Sequence, residues 1–201
     1  MTKRLRWSLQ WFQSLLSHSL AREVPYSRDP NPGRVLIYSD AKGNGMISAV
    51  LLISTSATSF RAPVPRELRR MLRARATNIV AFERVAAIVA IITFTRMIDQ
   101  SLEIHHYIDS TPALNCLVKG FSRQDDLRSL VGQLWFRSST HMAALWAAYV
   151  PSACNVADGP SRGDVSLMKR IGARVISVDI PPTLLSVELW MSTPQADRVM
   201  C

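Results

Sequence analysis

The hydrophobic pattern changes period along the chain, and each change marks an element. Residues 34–40 (RVLIYSD) hold an almost unbroken apolar run, Val35, Leu36, Ile37 and Tyr38, which predicts a strand covered on both faces. The turn-forming stretch KGNG leads into a second strand at 46–53, and a third is predicted at 57–62. Pro65 opens a short basic helix in VPRELRRMLRARAT (64–77), with Leu68, Met71 and Leu72 turned inward. From Asn78 to Gln100 apolar residues recur around nearly the whole helical wheel, so this helix should be buried. A strand, LEIHHYID (102–109), precedes a helix through TPALNCLVKG that Gly120 closes. A helix over 124–139 and a strand over 143–150 follow. The tail predicts a helix at 165–171, a strand at 173–178 and an apolar segment after Pro181-Pro182. At the other end, residues 4–21 place Leu5, Leu9, Phe12, Leu16 and Leu20 on one helical face, before the polar linker REVPYSRDPNPG. The order β-β-β-α-β-α-α-β describes an α/β protein: a mixed sheet with helices on its faces and right-handed crossovers.

With 201 residues, 48% of them hydrophobic, the chain can bury one core with extensions. The division expected is a helix and linker at 1–28, a main domain at 29–165 and a C-terminal extension at 166–201. The most apolar stretch, Val85 to Thr95, is far shorter than the ~20 residues a membrane span needs, and Glu83, Arg84 and Arg96 flank it. No membrane partner is therefore expected. Residues 1–22 are basic, serine-containing and free of acids, which fits a mitochondrial transit peptide; a docking helix explains the apolar face equally well, and no compartment follows. Cys116, Cys154 and Cys201 show no CxxC spacing, so neither a zinc site nor a disulfide framework is indicated. The formal charge of +9, mostly from arginine, favours a polyanionic partner such as nucleic acid.

Against this basic background four acids stand at element ends. Two apolar strands each end on an aspartate, Asp40 and Asp109, and the carboxyl ends of neighbouring parallel strands lie side by side. Glu83 lies one turn into the apolar helix, and Asp158 follows the 143–150 strand in NVADGPSR. Two carboxylates ~4 Å apart repel by ~4 kcal/mol at an effective dielectric of ~20, so such a cluster must protonate or hold cations. All-oxygen ligands select hard ions, Mg²⁺ above all with Mn²⁺ as substitute, and a pair of such ions suits in-line phosphodiester cleavage.

The stretches IYSDAKGNGMISAVLL, NIVAFERVAAIVAIITF, HHYIDSTPALNCLVKGFSRQDDL and WAAYVPSACNVADGPSR resemble the successive motifs of a ribonuclease H domain. The resemblance covers roughly residues 33–163 and is greatest to the version that follows the polymerase in retroelement reverse transcriptases. It implies a ribonuclease H-like five-stranded mixed sheet flanked by helices, with N- and C-terminal extensions. It also implies Asp40, Glu83, Asp109 and Asp158 as catalytic acids holding two Mg²⁺ ions, and the RNA strand of an RNA–DNA hybrid as substrate. A reverse transcriptase polymerase domain becomes a candidate partner. The chain itself has no YxDD-like polymerase motif. It departs from the family pattern in two ways. No histidine lies between Trp146 and Asp158, where many relatives carry one, and Gly159-Pro160 disfavours a regular helix after Asp158.

Around the acids, Lys42 and Asn44 are placed for contacts with a nucleic-acid backbone, and Ser161 and Arg162 for contact with substrate or, for Ser161, as a helix cap. Arg66, Arg69, Arg70, Arg73 and Arg75 either grip phosphates or form the wet face of their helix. His105 and Tyr107 share the face of Asp109 and read as packed residues, and Trp135 and Trp146 as core. The rival to a nuclease is a decayed or repurposed domain that binds nucleic acid or merely packs without cleaving; a related nuclease acting on DNA is a third reading.

Overall fold

The computed structural model describes residues 33–72, 78–98, 102–124 and 144–180, with residues 5, 6, 9, 10 and 13 and 126–128, 130–132 and 134–135. The predicted linker, the residues after 180, and Arg73 and Arg75 of the basic helix lie outside the described residues. Among those described, no helix is long and apolar enough to cross a membrane.

Among the described residues, six strands form one mixed sheet: β1 (Arg34–Ala41), β2 (Met46–Ile53), β3 (Ser56–Pro63), β4 (Glu103–Ile108), β5 (Ala144–Tyr149) and β6 (Arg174–Val175). Their spatial order is β5-β4-β1-β2-β3-β6, with β1–β2 and β2–β3 antiparallel and β1–β4 and β4–β5 parallel. The five strands expected are present. The sixth is a two-residue strand that pairs parallel to β3 at Thr58 and Ser59. Arg174 and Val175 thus add to the edge of the main sheet, and Ile180, 4% exposed, joins its core.

Between β1 and β2 the KGNG turn closes through hydrogen bonds from Lys42 N to Met46 O and from Gly45 N to Lys42 O, both 2.8 Å. Gly45 has φ +81°, a conformation that favours glycine, and the Arg69 guanidinium packs into the space a Cβ would take, 2.6 Å from that position.

The helices are α1 (Arg66–Met71), α2 (Ile79–Phe94), α3 (Thr111–Lys119), α4 (Asp158–Arg162) and α5 (Ser166–Arg170). Helix α2 packs on β1 and β2, and twelve of its sixteen residues are buried, as its all-round apolar pattern demands. A 3-10 turn, Thr95–Met97, extends it, ending short of the predicted Gln100. Gly120, φ +64°, caps α3 in the left-handed conformation. The described residues from 126 to 135 are helical, with Leu127, Leu130, Val131 and Leu134 buried. The described N-terminal positions are helical too, with Leu5 and Leu9 about half exposed at 51% and 52%.

Some expectations fail. Met71, the last residue of α1, is exposed; the chain turns extended at Leu72, and it is Leu72 that is buried. Trp135 and Trp146 are not core residues; they are 40% and 57% exposed, Trp146 standing on the edge strand β5. Residues 158–162 do form a helix despite Gly159-Pro160. Pro160 falls in the first turn, where its missing N–H would have had no intrahelical partner anyway.

Candidate active site

The carboxyl ends of β1 and β4 make the site. The last registered pair of these strands is Ser39–Ile108, so Asp40 and Asp109 come next to each other at the rim. Side chains alternate along a strand, and Asp40 and Asp109 therefore share the face on which Tyr38 stacks against Tyr107, ring centroids 5.0 Å apart. Glu83 arrives from the opposite layer, carried by α2 across the end of the sheet. One carboxylate oxygen from each of Asp40, Glu83 and Asp109 can be chosen so that all three lie within 4.8 Å of one another.

These acids are largely withdrawn from water. Asp40 is 3% and Glu83 7% exposed, and Glu83 Oε2 and Asp109 Oδ1 are buried without a hydrogen-bond partner. Burial, followed by the repulsion of Asp40, Asp109 and Asp158, pushes Glu83 up to about 9. Burial also raises Asp40, to about 6; a hydrogen bond from the Ser161 side chain opposes the shift, and Asp109 and Asp158 add to it. An apolar site would not assemble three carboxyls, and a structural one would give them donors. The orphaned buried oxygens and the all-oxygen donor set fit a hard divalent cation.

The site opens into a cavity of about 380 Å³ lined by the three acids together with Lys42, Asp158 and Arg162, among others. Asp158 thus faces the same space, but it lies outside the cluster of three. Its two carboxylate oxygens are 2.8 and 2.9 Å from Nε of Arg162, one helical turn along α4. The hydroxyl of Ser161, 1% exposed, lies within reach of both Asp158 O, at 2.9 Å, and the Asp40 carboxylate, and its single hydrogen serves one of them at a time.

The loop before α4 is tied to the sheet by residues with no local signal in the sequence. Asn155 Nδ2 donates to Ser39 O (3.0 Å), its Oδ1 accepts from Ala157 N (3.1 Å), and Ser48 Oγ donates to Ala157 O (2.6 Å). Asn155 is visible in the sequence only as part of the NVADGPSR stretch; its partner on β1 is more than a hundred residues away.

Of the other candidates, Lys42 is exposed on the cavity wall, while Asn44 accepts from Met46 N at 3.1 Å and stabilises the turn. Arg66 and Arg70 are exposed on α1. Arg69 is engaged in the fold: Nε donates to Val64 O at 2.8 Å, Nη2 reaches Gly45 O at 3.4 Å, and the guanidinium lies 5.7 Å from the centre of the Phe82 ring. His105 is half-buried beside Glu103, 3.4 Å away.

No protein-family model matches the sequence, and a search of curated proteins found no match. Solved structures similar to this chain include the N-terminal RNase H domain of a Mycobacterium tuberculosis protein fused to maltose-binding protein, at 16% identity and TM-score 0.47, covering 70% of this chain and 99% of that one. RNase H1 from the halophilic archaeon Halobacterium salinarum is 20% identical with TM-score 0.48, over 67% of this chain and 98% of its own. LC11-RNase H1, solved in complex with an RNA/DNA hybrid, is 16% identical with TM-score 0.49, over 68% and 99%. The mixed sheet with its flanking helices is an α/β fold.

Proposed function

We propose that this protein is a metal-dependent endonuclease that hydrolyses the RNA strand of RNA–DNA hybrids. The observation that carries the reading is the cluster of Asp40, Glu83 and Asp109, with two buried oxygens lacking any partner, at the strand ends of a basic protein. The sequence motifs add the substrate and the retroelement type, and with that type a reverse transcriptase polymerase as partner.

Asp40, Glu83 and Asp109, with Asp158 as the fourth ligand, would hold two Mg²⁺ ions. Bound there, the ions supply a nucleophile at neutral pH and charge stabilisation on the attacking and leaving oxygens of the phosphodiester. The chain's own part is to fix the geometry. β1 and β4 hold Asp40 and Asp109 on rigid strand ends, and α2 brings Glu83 in from the other layer. Lys42, Arg162 and Ser161 line the cavity where a phosphate backbone would pass, Asn44 stands in the adjoining turn, and Arg66 and Arg70 are exposed on α1.

The pairing of Asp158 with Arg162, away from the three clustered acids, favours a second reading: an RNase H-like domain that binds nucleic acid without cutting it. One assay separates the two. Wild type with Mg²⁺ should cleave a labelled RNA–DNA hybrid in its RNA strand and leave duplex DNA and duplex RNA intact. Asp109→Asn should fold and still bind hybrid, yet lose cleavage by ~10³-fold or more, as expected when a ligand essential to metal chemistry is removed. No cleavage by wild type, with hybrid binding retained, would select the binding domain. Equal cleavage by wild type and Asp109→Asn would remove Asp109 from the site.

A further inference from the structure

The ion pair on α4 joins two groups that the proposed chemistry needs apart. Asp158 lines the cavity of the three clustered acids, yet both its oxygens are held by Arg162 Nε at 2.8 and 2.9 Å. Arg162 lines the same cavity with its side chain 63% exposed, against 28% for Asp158. A guanidinium that close neutralises the carboxylate as seen by any cation arriving at the cluster. An exposed pair of this kind is weak, it engages the guanidinium here through Nε alone, and the arginine fork matches a phosphodiester as well as a carboxylate, so an entering phosphate can take it over.

We propose that Arg162 is a latch on Asp158: it withholds the fourth carboxylate from cations until a nucleic-acid phosphate enters the cavity, takes the guanidinium and frees Asp158. The inference rests on the nuclease reading of the site. Backbone binding and cation binding then reinforce each other, each tightening the other by the same factor. An empty enzyme holds its full complement of ions poorly, and a nucleic acid in place completes the site. The latch also accounts for the position of Asp158, which shares the cavity with the three clustered acids but not their cluster.

The test is Mn²⁺ binding, measured by titration calorimetry and by the loss of the free-ion paramagnetic resonance signal, with no turnover involved. Arg162→Ala, a change at an exposed position, should bind Mn²⁺ several-fold more tightly than wild type. Removing any positive charge near an acidic site tightens cation binding somewhat, so the same substitution is also made in an Asp158→Asn background. If the pair is the latch, most of the gain disappears there. A hybrid with a 2′-O-methylated RNA strand, which resists cleavage, should tighten Mn²⁺ binding by wild type and do little for Arg162→Ala. Equal Mn²⁺ affinity of wild type and Arg162→Ala would overturn the latch and leave the three-acid site standing, as would an undiminished gain in the Asp158→Asn background. Failure of wild type to bind Mn²⁺ at all would overturn the site reading and the latch with it.

Discussion

Two buried polar clusters lie one residue apart along β1, and the fold treats them in opposite ways. At Ser39 the side chain meets His106 Nε2 at 2.8 Å, and the Ser39 carbonyl accepts from Asn155, which in turn holds the backbone of Ala157. At Asp40 the chain reaches a cluster whose oxygens include two that are buried and unpartnered. His106 is fully buried and held neutral, its value lowered to about 3 by burial, so its own unpartnered Nδ1 carries no charge in either tautomer. Asp40 and Glu83 have no such escape except by taking up protons. Buried polarity by itself therefore does not mark a functional site. Buried charge left without donors does, because leaving it so destabilises the fold unless something else binds there.

The contrast has a pH signature, and it gives the largest expected effect on stability. Asp40 and Glu83 bind protons more tightly when folded, with values near 6 and 9 against 3.8 and 4.5 unfolded. Between those limits the folded state holds more protons, so stability falls as pH rises. His106 works the other way: folded, it binds fewer protons than its ordinary 6.5 dictates, and stability rises from about pH 3 to 6.5. The two slopes oppose each other in acid, and above 6.5 the slope of Glu83 is left alone. In chelator, urea denaturation at pH 6.5 and 9 should show a loss on the order of 2–4 kcal/mol. Glu83→Gln should flatten that slope, and saturating Mg²⁺ should flatten it in wild type, since a cation bound only by the folded state takes the place of the protons. A wild-type profile already flat in chelator would break the contrast between the clusters.

The network at Ser39 should respond to a different insult. Asn155→Ala removes a donor to Ser39 O and an acceptor for Ala157 N, both deep in the structure, and should cost about 2 kcal/mol in chemical denaturation. Its metal affinity should fall much less than that of Asp109→Asn, because Asn155 touches none of the three clustered acids. A loss of Mn²⁺ binding as complete as that of Asp109→Asn would show that the two clusters are one unit.

The sequence displays the acids well and the network poorly, for a physical reason. Asp40 and Asp109 end apolar strands and Glu83 interrupts an apolar helix, so each is locally discordant, and discordance is visible without a fold. Ser39, Ser48 and Asn155 are ordinary residues locally; only the approach of β1 and β2 to the loop before α4 gives them work. The same limit explains Trp146. An edge strand reads like a central one until its neighbours are known, and among the described residues β5 has a partner on one side only. The sixth strand is legible as a strand at 173–178, but its attachment to β3 depends on residues over a hundred positions earlier.

The rule that sorts the two clusters also sorts the arginines of α1, and yields the smallest effect. Arg69 already has the carbonyls of Val64 and Gly45 and the face of Phe82 as partners, whereas Arg66 and Arg70 stand exposed on the same helix. Arg69→Ala should therefore act on the fold: it unpairs the Val64 carbonyl next to the KGNG turn and should lower stability by ~1 kcal/mol, the typical net worth of such a bond. Arg66→Ala with Arg70→Ala should leave stability nearly unchanged. If both side chains meet backbone phosphates, the double variant should weaken hybrid binding and reduce the slope of log affinity against log salt by nearly one for each phosphate no longer neutralised. Each such phosphate keeps its condensed counterions, which is why the slope, and not the affinity at one salt concentration, counts the arginine–phosphate pairs. Binding isotherms at several salt concentrations measure it directly. An unchanged slope in the Arg66/Arg70 variant would make these two arginines a solvated face. A reduced slope in Arg69→Ala would mean that its present partners are given up on binding, and that a partnered cation can still belong to the interface.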